Sequence, residues 1–338
     1  MSGDPRARAA AQLAALSRWR PAEFAFWAGA LAALFLFPSR SLLLSEIFIT
    51  GLFALSLDLI LGYAGILSLG HAAFFGLGAY VAGIATLHGV TEPVLGLALA
   101  WAAAAALGFA SSFLVLRGSD LTRLMVTLGV ALMLFEAANR MAWLTGGADG
   151  LQGMEVGPVL GLFEFDLAGE VAAAYSLAVL FLAFLLVRQL VHSPFGWTLR
   201  AVKGNALRAA AVGIAVNARL VVAYTAAAGL AGIAGALLAQ TNQFVSLDVL
   251  AFHRSADVLL VLVIGGVGWL YGGLVGAVVF KLMQDAIASV TPQYWQFWIG
   301  LLLVAMVLVG RERIAGLGRR ISPGRRGAAG AAAPGAAE

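Results

Sequence analysis

No cysteine occurs among the 338 residues, which excludes a disulfide framework, a thiol nucleophile and a thiolate metal site. Charge is scarce: Asp, Glu, Lys and Arg make up 11% of the chain, against about 25% in an ordinary soluble domain. The four histidines, His71, His88, His192 and His253, are scattered, with no pair at metal-ligand spacing. There is no G-x-x-x-x-G-K-[ST] phosphate loop, so a P-loop ATPase is excluded. No apolar run carries a His/Asp/Glu cluster or a nucleophile–base pair, which weighs against a membrane-embedded enzyme. No catalytic residue, metal ligand set or bound cofactor is therefore expected.

Apolar residues fill the space that charge leaves. They make up 62% of the chain, against about 45–50% in soluble domains. The stretch Leu57–Gly83, LDLILGYAGILSLGHAAFFGLGAYVAG, is the most telling. It is too long and too uniformly apolar for an amphipathic soluble helix, and its only ionisable side chains are Asp58 and His71. Glycines interrupt it at 62, 65, 70, 76, 78 and 83. In a bilayer, glycine lets helix backbones approach closely, and a broken helix is tolerated where protein covers it. The stretch reads as two spans joined by a tight reversal, the pattern of a transporter.

A span needs roughly 20 apolar residues. On that basis the fold class is an all-α polytopic membrane protein of about ten spans. They fall near 23–38, 42–61, 69–88, 93–116, 124–144, 171–190, 219–240, 255–270, 272–290 and 294–310. The first is short, and 255–290 can also be a broken hairpin, so eight or nine spans remain open. An even number puts both termini on one side. That side then holds seventeen of the 21 Lys and Arg residues; only Arg40, Arg140, Arg254 and Lys281 lie elsewhere. By the positive-inside rule it is cytoplasmic. The expected organisation is a cytoplasmic segment 1–22, a membrane domain 23–310 and a disordered Gly/Ala/Arg/Pro-rich tail 311–338. No signal-peptide cleavage pattern follows the run Phe24–Phe37.

Two polar connections are longer than turns. Segment 145–170 is acidic, without a basic residue, and lies outside in this arrangement. It reads as a docking rim for a soluble partner or as a solvated loop. Segment 191–218 is basic and lies inside. After Ser193-Pro194, the run TLRAVKGNALRAAAVGI suits two short helices with a turn at Gly204-Asn205, and Arg200, Lys203 and Arg208 facing the cytosol. Such a pair suits docking into a groove on a soluble partner, and equally a surface helix held at the headgroups.

The chain resembles a known family in five ordered blocks. Residues 191–218 are similar to the coupling loop of ABC-transporter permeases, through Gly196, Arg200, Ala201, Asn205, Ala209, Ala210 and Gly213-Ile214. Gly204 departs from the acidic residue usual there. Gly62-Tyr63-x-Gly65-x-x-Ser68-Leu69-Gly70-His71 with Gly76-x-Gly78-Ala79-Tyr80 resembles the first block of the LivM/LivH-type branched-chain amino-acid permeases. Leu116-Arg117-Gly118 with Val126–Gly129 resembles a second block, and Thr145–Gly150 the T-G-G-x-[DN]-G of M-type subunits. Ile264–Gly268 with Gly272-Gly273-x-x-Gly276-Ala277 resembles the late glycine block, where the family usually has Gly-Pro.

The resemblance implies a permease subunit of type II-importer-like fold in the bacterial inner membrane. Its partners would be an H-type permease in a heterodimer, two cytoplasmic ATPase subunits that use the ATP, and a periplasmic binding protein, with no nucleic acid. It implies ATPase coupling through Gly196, Arg200, Ala201, Lys203, Asn205, Arg208, Ala209 and Gly213. The implied substrates are leucine, isoleucine and valine. A urea or short-chain amide permease shares the same blocks, and a solitary ion-coupled transporter is the reading from another class.

Buried ionisable groups in spans default to functional hypotheses. Asp58 either bonds amides of the glycine turn that follows it or lines the path. His71 either bonds carbonyls of that turn or lines the path, with Ser68 beside it. Glu136, Asn139 and Arg140 share one face of a span, as a local ion pair or a gate. Asp257 and Lys281 are positioned to pair between spans. Trp143, Trp295 and Trp298 read as interfacial belt residues. Gly229, Gly232 and Gly235, with Gly272 and Gly276, mark close helix contacts, within the subunit or at a seam with the partner permease.

Overall fold

The computed structural model describes residue 19 and residues 21–301, apart from 167, 291, 295, 296 and 299. The expected segment 1–22, the last span near 294–310 and the tail 311–338 therefore lie wholly or largely outside the described residues, as does Trp295. Twelve α-helices are described, with no sheet beyond two isolated bridges. The chain divides into two compact units, Met1–Leu282 and Met283–Glu338.

The first helices are α1 (Pro21–Leu36), α2 (Ser41–Asp58), α3 (Ala72–Leu87) and α4 (Pro93–Val115). Pro21 and Pro93 open their helices, where a missing N–H costs nothing. Pro38 stops α1 by disfavouring helical backbone before it, and a 3₁₀ turn Pro38–Arg40 leads into α2. Next come α5 (Asp120–Arg140) and the single turn α6 (Ala142–Thr145). Ser119 caps α5 by accepting the Thr122 N–H at 3.4 Å, and Asp120 and Arg140 complement its dipole.

The long helix α7 (Glu170–His192) ends at Ser193-Pro194. Two short helices follow, α8 (Pro194–Gly204) and α9 (Ala206–Ala211). Then come α10 (Val216–Asn242), α11 (Phe252–Gly265) and α12 (Gly272–Val290).

Helix α10 is the centre of the first unit. It packs on α2, α3 and α4, and α2 packs on α7. The three-residue glycine repeat of α10 makes this possible. A Cβ at Gly235 would strike the Phe75 carbonyl, one at Gly232 would lie 2.8 Å from the Ala100 carbonyl, and one at Gly229 would meet the Trp101 indole. From the other side, a Cβ at Gly78 would strike the Gly232 carbonyl. These glycines serve packing within the chain, one of the two sequence readings. Gly272 and Gly276 do the same for α11 and α12, against the Gly266 and Val261 carbonyls.

Among the described residues, six helical segments are long and apolar enough to cross a membrane, and α1 and α3 are shorter apolar helices. The expected span at 255–270 differs. Helix α11 has 14 residues and ends at Gly265, before Gly266, so it reaches about 21 Å, short of a hydrocarbon core of about 30 Å. The glycine block that breaks it is what makes it a partial span.

Segment 145–170 is not a free loop. Leu151 and Val245 exchange backbone hydrogen bonds at 2.7 and 3.2 Å, and the Gly157 N–H donates to the Thr91 carbonyl at 3.0 Å. At its end, Asp166 accepts the first two N–H groups of α7, from Glu170 at 3.2 Å and Val171 at 3.0 Å. Partial burial pushes the Asp166 carboxyl up, but these N–H donors pull it down by more and leave it below the usual carboxylate range.

Candidate functional site

Helix α2 does not end at Asp58; it widens into a π-helix over Leu59–Ala64. π-Turns of this kind are rare and cluster at functional sites. Gly65 closes the turn with φ +75°, which suits glycine, and the Ile66 N–H donates to the Ile60 carbonyl at 2.9 Å.

Two separate parts of the chain converge on this turn, helix α8 and the late glycine block. The Lys203 ammonium, at the end of α8, donates to the Gly62 carbonyl at 2.6 Å. The Arg200 guanidinium, one turn earlier, lies over the Tyr63 ring at 5.1 Å and over Trp197 at 4.9 Å. From the late glycine block, the Gly268 N–H donates to Asp58 Oδ1 at 2.7 Å. There is no room for a side chain at Gly62: a Cβ there would strike Asp58 Oδ1.

One of the two sequence readings has Asp58 bonding the glycine turn that follows it. Asp58 bonds Gly268 instead, 210 residues away. The cause is geometric: the π-turn carries the following amides into its own wide ring and leaves the carboxylate facing the α11–α12 connection. Asp58 is fully buried, and its Oδ2 has no partner among the described residues.

One of the two sequence readings has His71, also fully buried, bonding carbonyls of the turn. Its Nε2 lies 2.9 Å from Ser56 Oγ on α2, and its ring stacks on Phe53 at 5.5 Å. The Ser56 hydroxyl already donates to the Phe53 carbonyl at 2.6 Å, so the imidazole is the donor and carries its proton on Nε2. Around it, the Leu69 N–H donates to Thr127 Oγ1 of α5 at 3.3 Å, and the Ala72 N–H to Ser255 Oγ of α11 at 2.9 Å. Segment 65–71 is thus clamped by α2, α5 and α11. Ser68 is buried in it, its hydroxyl without a partner among the described residues.

The α8–α9 pair has the break that the sequence predicts. Asn205 caps α9 by accepting the Arg208 N–H at 2.9 Å. Gly196 is buried where a Cβ would strike the Val191 carbonyl, and Ala209 is buried beneath α9. Ala201 and Arg208 are exposed, and Gly213 turns with φ +88° in open space. Of the three basic residues expected to face outward, Arg208 and Lys203 are exposed and Arg200 is half-buried; the Lys203 ammonium and the Arg200 guanidinium reach back to the π-helix.

The remaining candidates lie apart from this junction. Glu136 and Arg140 form an exposed ion pair at 2.5 Å on α5, with Asn139 exposed beside them. Lys281 pairs with Glu46 of α2 at 3.0 Å and not with Asp257. Trp143 and Trp298 are exposed. One cluster had no sequence signal: Arg188 pairs with Glu23 of α1, which also accepts from the Tyr271 hydroxyl at 3.2 Å, and Trp19 lies over the guanidinium at 4.2 Å. Among the described residues no group of acidic or histidine side chains is placed to hold a metal ion.

The family model described as branched-chain amino acid transport system / permease component matches residues 39–307, most of the chain and every element of this junction. The chain belongs to that family. Two similar relatives are the high-affinity branched-chain amino acid transport system permease protein LivM of Escherichia coli (strain K12) and that of Salmonella typhimurium (strain LT2). Each is 26% identical over 275 residues, covering 75% of this chain and 64% of the relative. The chain thus spans less than two thirds of the length of these relatives. No solved structure matches. Family and apolar helices together make this a multi-pass protein of the inner membrane.

Proposed function

We propose that this chain is the membrane-spanning permease subunit of an ATP-driven importer, passing leucine, isoleucine and valine delivered by a periplasmic binding protein. The observation that carries the reading is the tie between a basic helix pair outside the spans and the buried π-turn: Lys203 to Gly62, Arg200 to Tyr63. A force applied to α8 reaches Asp58, and through it the α11–α12 turn, by two hydrogen bonds. That is the linkage a permease needs if its energy comes from a separate ATPase.

In this reading α8–α9 is the coupling element, with Arg208 meeting an ATPase subunit. The spans number about ten, with both ends on the arginine-rich cytoplasmic side. An H-type permease completes the membrane unit, and two ATPase subunits hold the nucleotide. Asp58, Ser68 and His71 act as positioning residues that hold the hinge, because their neighbours belong to this chain. Glu136 and Asn139, exposed on the least buried of the six spans, remain the path or gate residues.

The test is uptake by proteoliposomes containing this chain with its co-encoded permease, ATPases and binding protein. ATP-dependent leucine or valine uptake supports the reading. Uptake of urea alone moves the chain to the amide branch. Leucine uptake driven by a proton or sodium gradient without ATPase subunits overturns it.

A further inference from the structure

Between α10 and α11 the chain turns back into the helix bundle. Val245 is level with Gly83 of α3, where a Cβ would lie 3.6 Å from its Cγ2. A Cβ at Gly76 would strike Leu250, and the Ala72 N–H donates to Ser255 Oγ at 2.9 Å. Residues 245–255 therefore descend beside α3. At about 1.5 Å per residue, Leu250 and Ser255 lie roughly 16 and 22 Å from the Leu87 end of that helix, and residues 248–254 straddle the middle of a hydrocarbon core of about 30 Å. Irregular backbone at that depth is tolerated only where protein buries it or where it lines a water-filled path.

Four ionisable side chains gather at this depth. Asp248 Oδ2 accepts from Arg254 Nε at 2.9 Å and Nη2 at 2.6 Å, and His253 Nε2 lies 2.9 Å from Asp248 Oδ1. Asp257 follows one turn along α11, half-buried, in the field of both cations. The other cation near it, Lys281, is taken by Glu46 at 3.0 Å. Asp257 makes no hydrogen bond or close ion pair among the described residues, and neither does the Nη1 edge of Arg254. The side chains of Asp248, His253 and Arg254 are 43%, 47% and 34% exposed, so protein of this chain does not cover them. Lipid is a poor neighbour for charge at mid-depth, and an aqueous path is a good one. A guanidinium edge and an open carboxylate one turn apart are complementary to one ligand chemistry, an α-amino acid zwitterion, whose carboxylate and ammonium are held on one carbon.

We infer that Arg254 and Asp257 form a mid-membrane binding site for the transported amino acid, Arg254 taking its α-carboxylate and Asp257 its α-ammonium, with Asp248 as the positioning residue that holds Arg254 and His253. Resting on the amino-acid permease reading proposed above, this site selects for charge: an uncharged amide such as urea gains nothing from it.

The natural absence of cysteine allows a single His253→Cys in the whole transporter, reconstituted in proteoliposomes with its partner permease, ATPases and binding protein. A water-soluble, membrane-impermeant methanethiosulfonate should label that thiol, excess leucine should slow the labelling, and urea should not. In a second arm, Asp257→Asn and Arg254→Gln should each lower ATP-driven leucine uptake roughly tenfold, while the ATPase rate stimulated by the binding protein stays within about twofold of wild type. Asp248→Asn should behave the same way, and Asp248→Glu should recover part of the uptake. A purely structural role would lower uptake and ATPase rate together. That joint fall, no labelling by the water-soluble reagent, or labelling that leucine leaves unchanged overturns the site while wild-type leucine uptake stands. A wild type that takes up urea and no leucine overturns the amino-acid reading itself, and the site with it.

Discussion

Lys203 and Gly62 are 141 residues apart in sequence and 2.6 Å apart in space. Their hydrogen bond joins the last turn of α8 to the middle of the π-helix. A charged donor on a backbone carbonyl is worth about 1.5–3 kcal/mol, more than a neutral pair. The Lys203 stem also covers Gly65, where a Cβ would come within 2.9 Å of its Cγ. The contact therefore has an electrostatic part and a packing part that can be separated.

Lys203→Met keeps the stem and removes the ammonium. ATP-driven leucine uptake should fall roughly tenfold, a loss of about 1.4 kcal/mol. The ATPase subunits should still co-purify, because Lys203 points into the permease and not toward them. Lys203→Arg should restore part of the uptake. Full uptake by Lys203→Met, measured in proteoliposomes, would leave the bond with no role in transmission.

Arg200 and Arg208 are separable in the same way, although the sequence presents them as equivalents. Arg208 is exposed and is engaged through its backbone, its N–H donating to Asn205 and its carbonyl accepting from Val212. Arg208→Glu should leave the subunit's own stability within about 0.5 kcal/mol and lower the amount of co-purified ATPase. Arg200→Glu removes guanidinium contacts with two aromatic rings, each worth about 0.5–1 kcal/mol at partly exposed sites, and should lower the melting temperature of the subunit itself. The opposite pattern, with Arg208→Glu destabilising and Arg200→Glu silent, would reverse the assignment of inner and outer faces on α8–α9.

What could be seen in the sequence followed from local rules. Pro194, Gly204 and Asn205 placed the break between α8 and α9 because capping and helix termination act over four residues. The glycine repeat of α10 pointed to close backbone contact because a missing Cβ has one dominant use in a packed bundle. The partners of single polar residues were hidden. Asp58 finds Gly268 and Lys281 finds Glu46 through helix placement in three dimensions, and no periodicity carries that information. The Glu23–Arg188–Tyr271 clasp was hidden for the same reason. The partial span α11 was one of two readings of 255–290, left open because its apolar run continues beyond the glycine that ends the helix.

Glycines of α5 and α10 offer a paired test of packing. A Cβ at Gly235 would strike the Phe75 carbonyl and lie 3.0 Å from the Ala79 nitrogen, both backbone atoms that cannot move aside alone. Gly129 meets nothing within 4 Å. Gly235→Ala should cost about 1–3 kcal/mol or prevent accumulation of folded protein. Gly129→Ala should be neutral or slightly stabilising, since alanine favours the helix by about 1 kcal/mol. Thermal-shift measurement of both variants in detergent decides this. A tolerated Gly235→Ala would mean that α3 and α10 are less closely apposed than described.

Asp166 gives a prediction with a defined pH sign. Its carboxylate accepts two N–H groups that α7 cannot satisfy internally, at 3.2 and 3.0 Å. The folded form therefore holds its proton less tightly than the ordinary carboxyl at 3.8. A depressed carboxylate stabilises the fold above its unfolded value and loses that contribution as pH falls through the lower, folded value. The stabilisation is thus complete above about pH 4–5 and disappears only below 3.8. At neutral pH, Asp166→Ala should cost about 0.5–2 kcal/mol, as for other side chains that cap a helix start, while Asp166→Asn should cost less because its amide oxygen still accepts. Both variants should differ from wild type by a constant amount between pH 5 and pH 8 in thermal unfolding. A difference that grows across that range would mean that another group titrates at the start of α7.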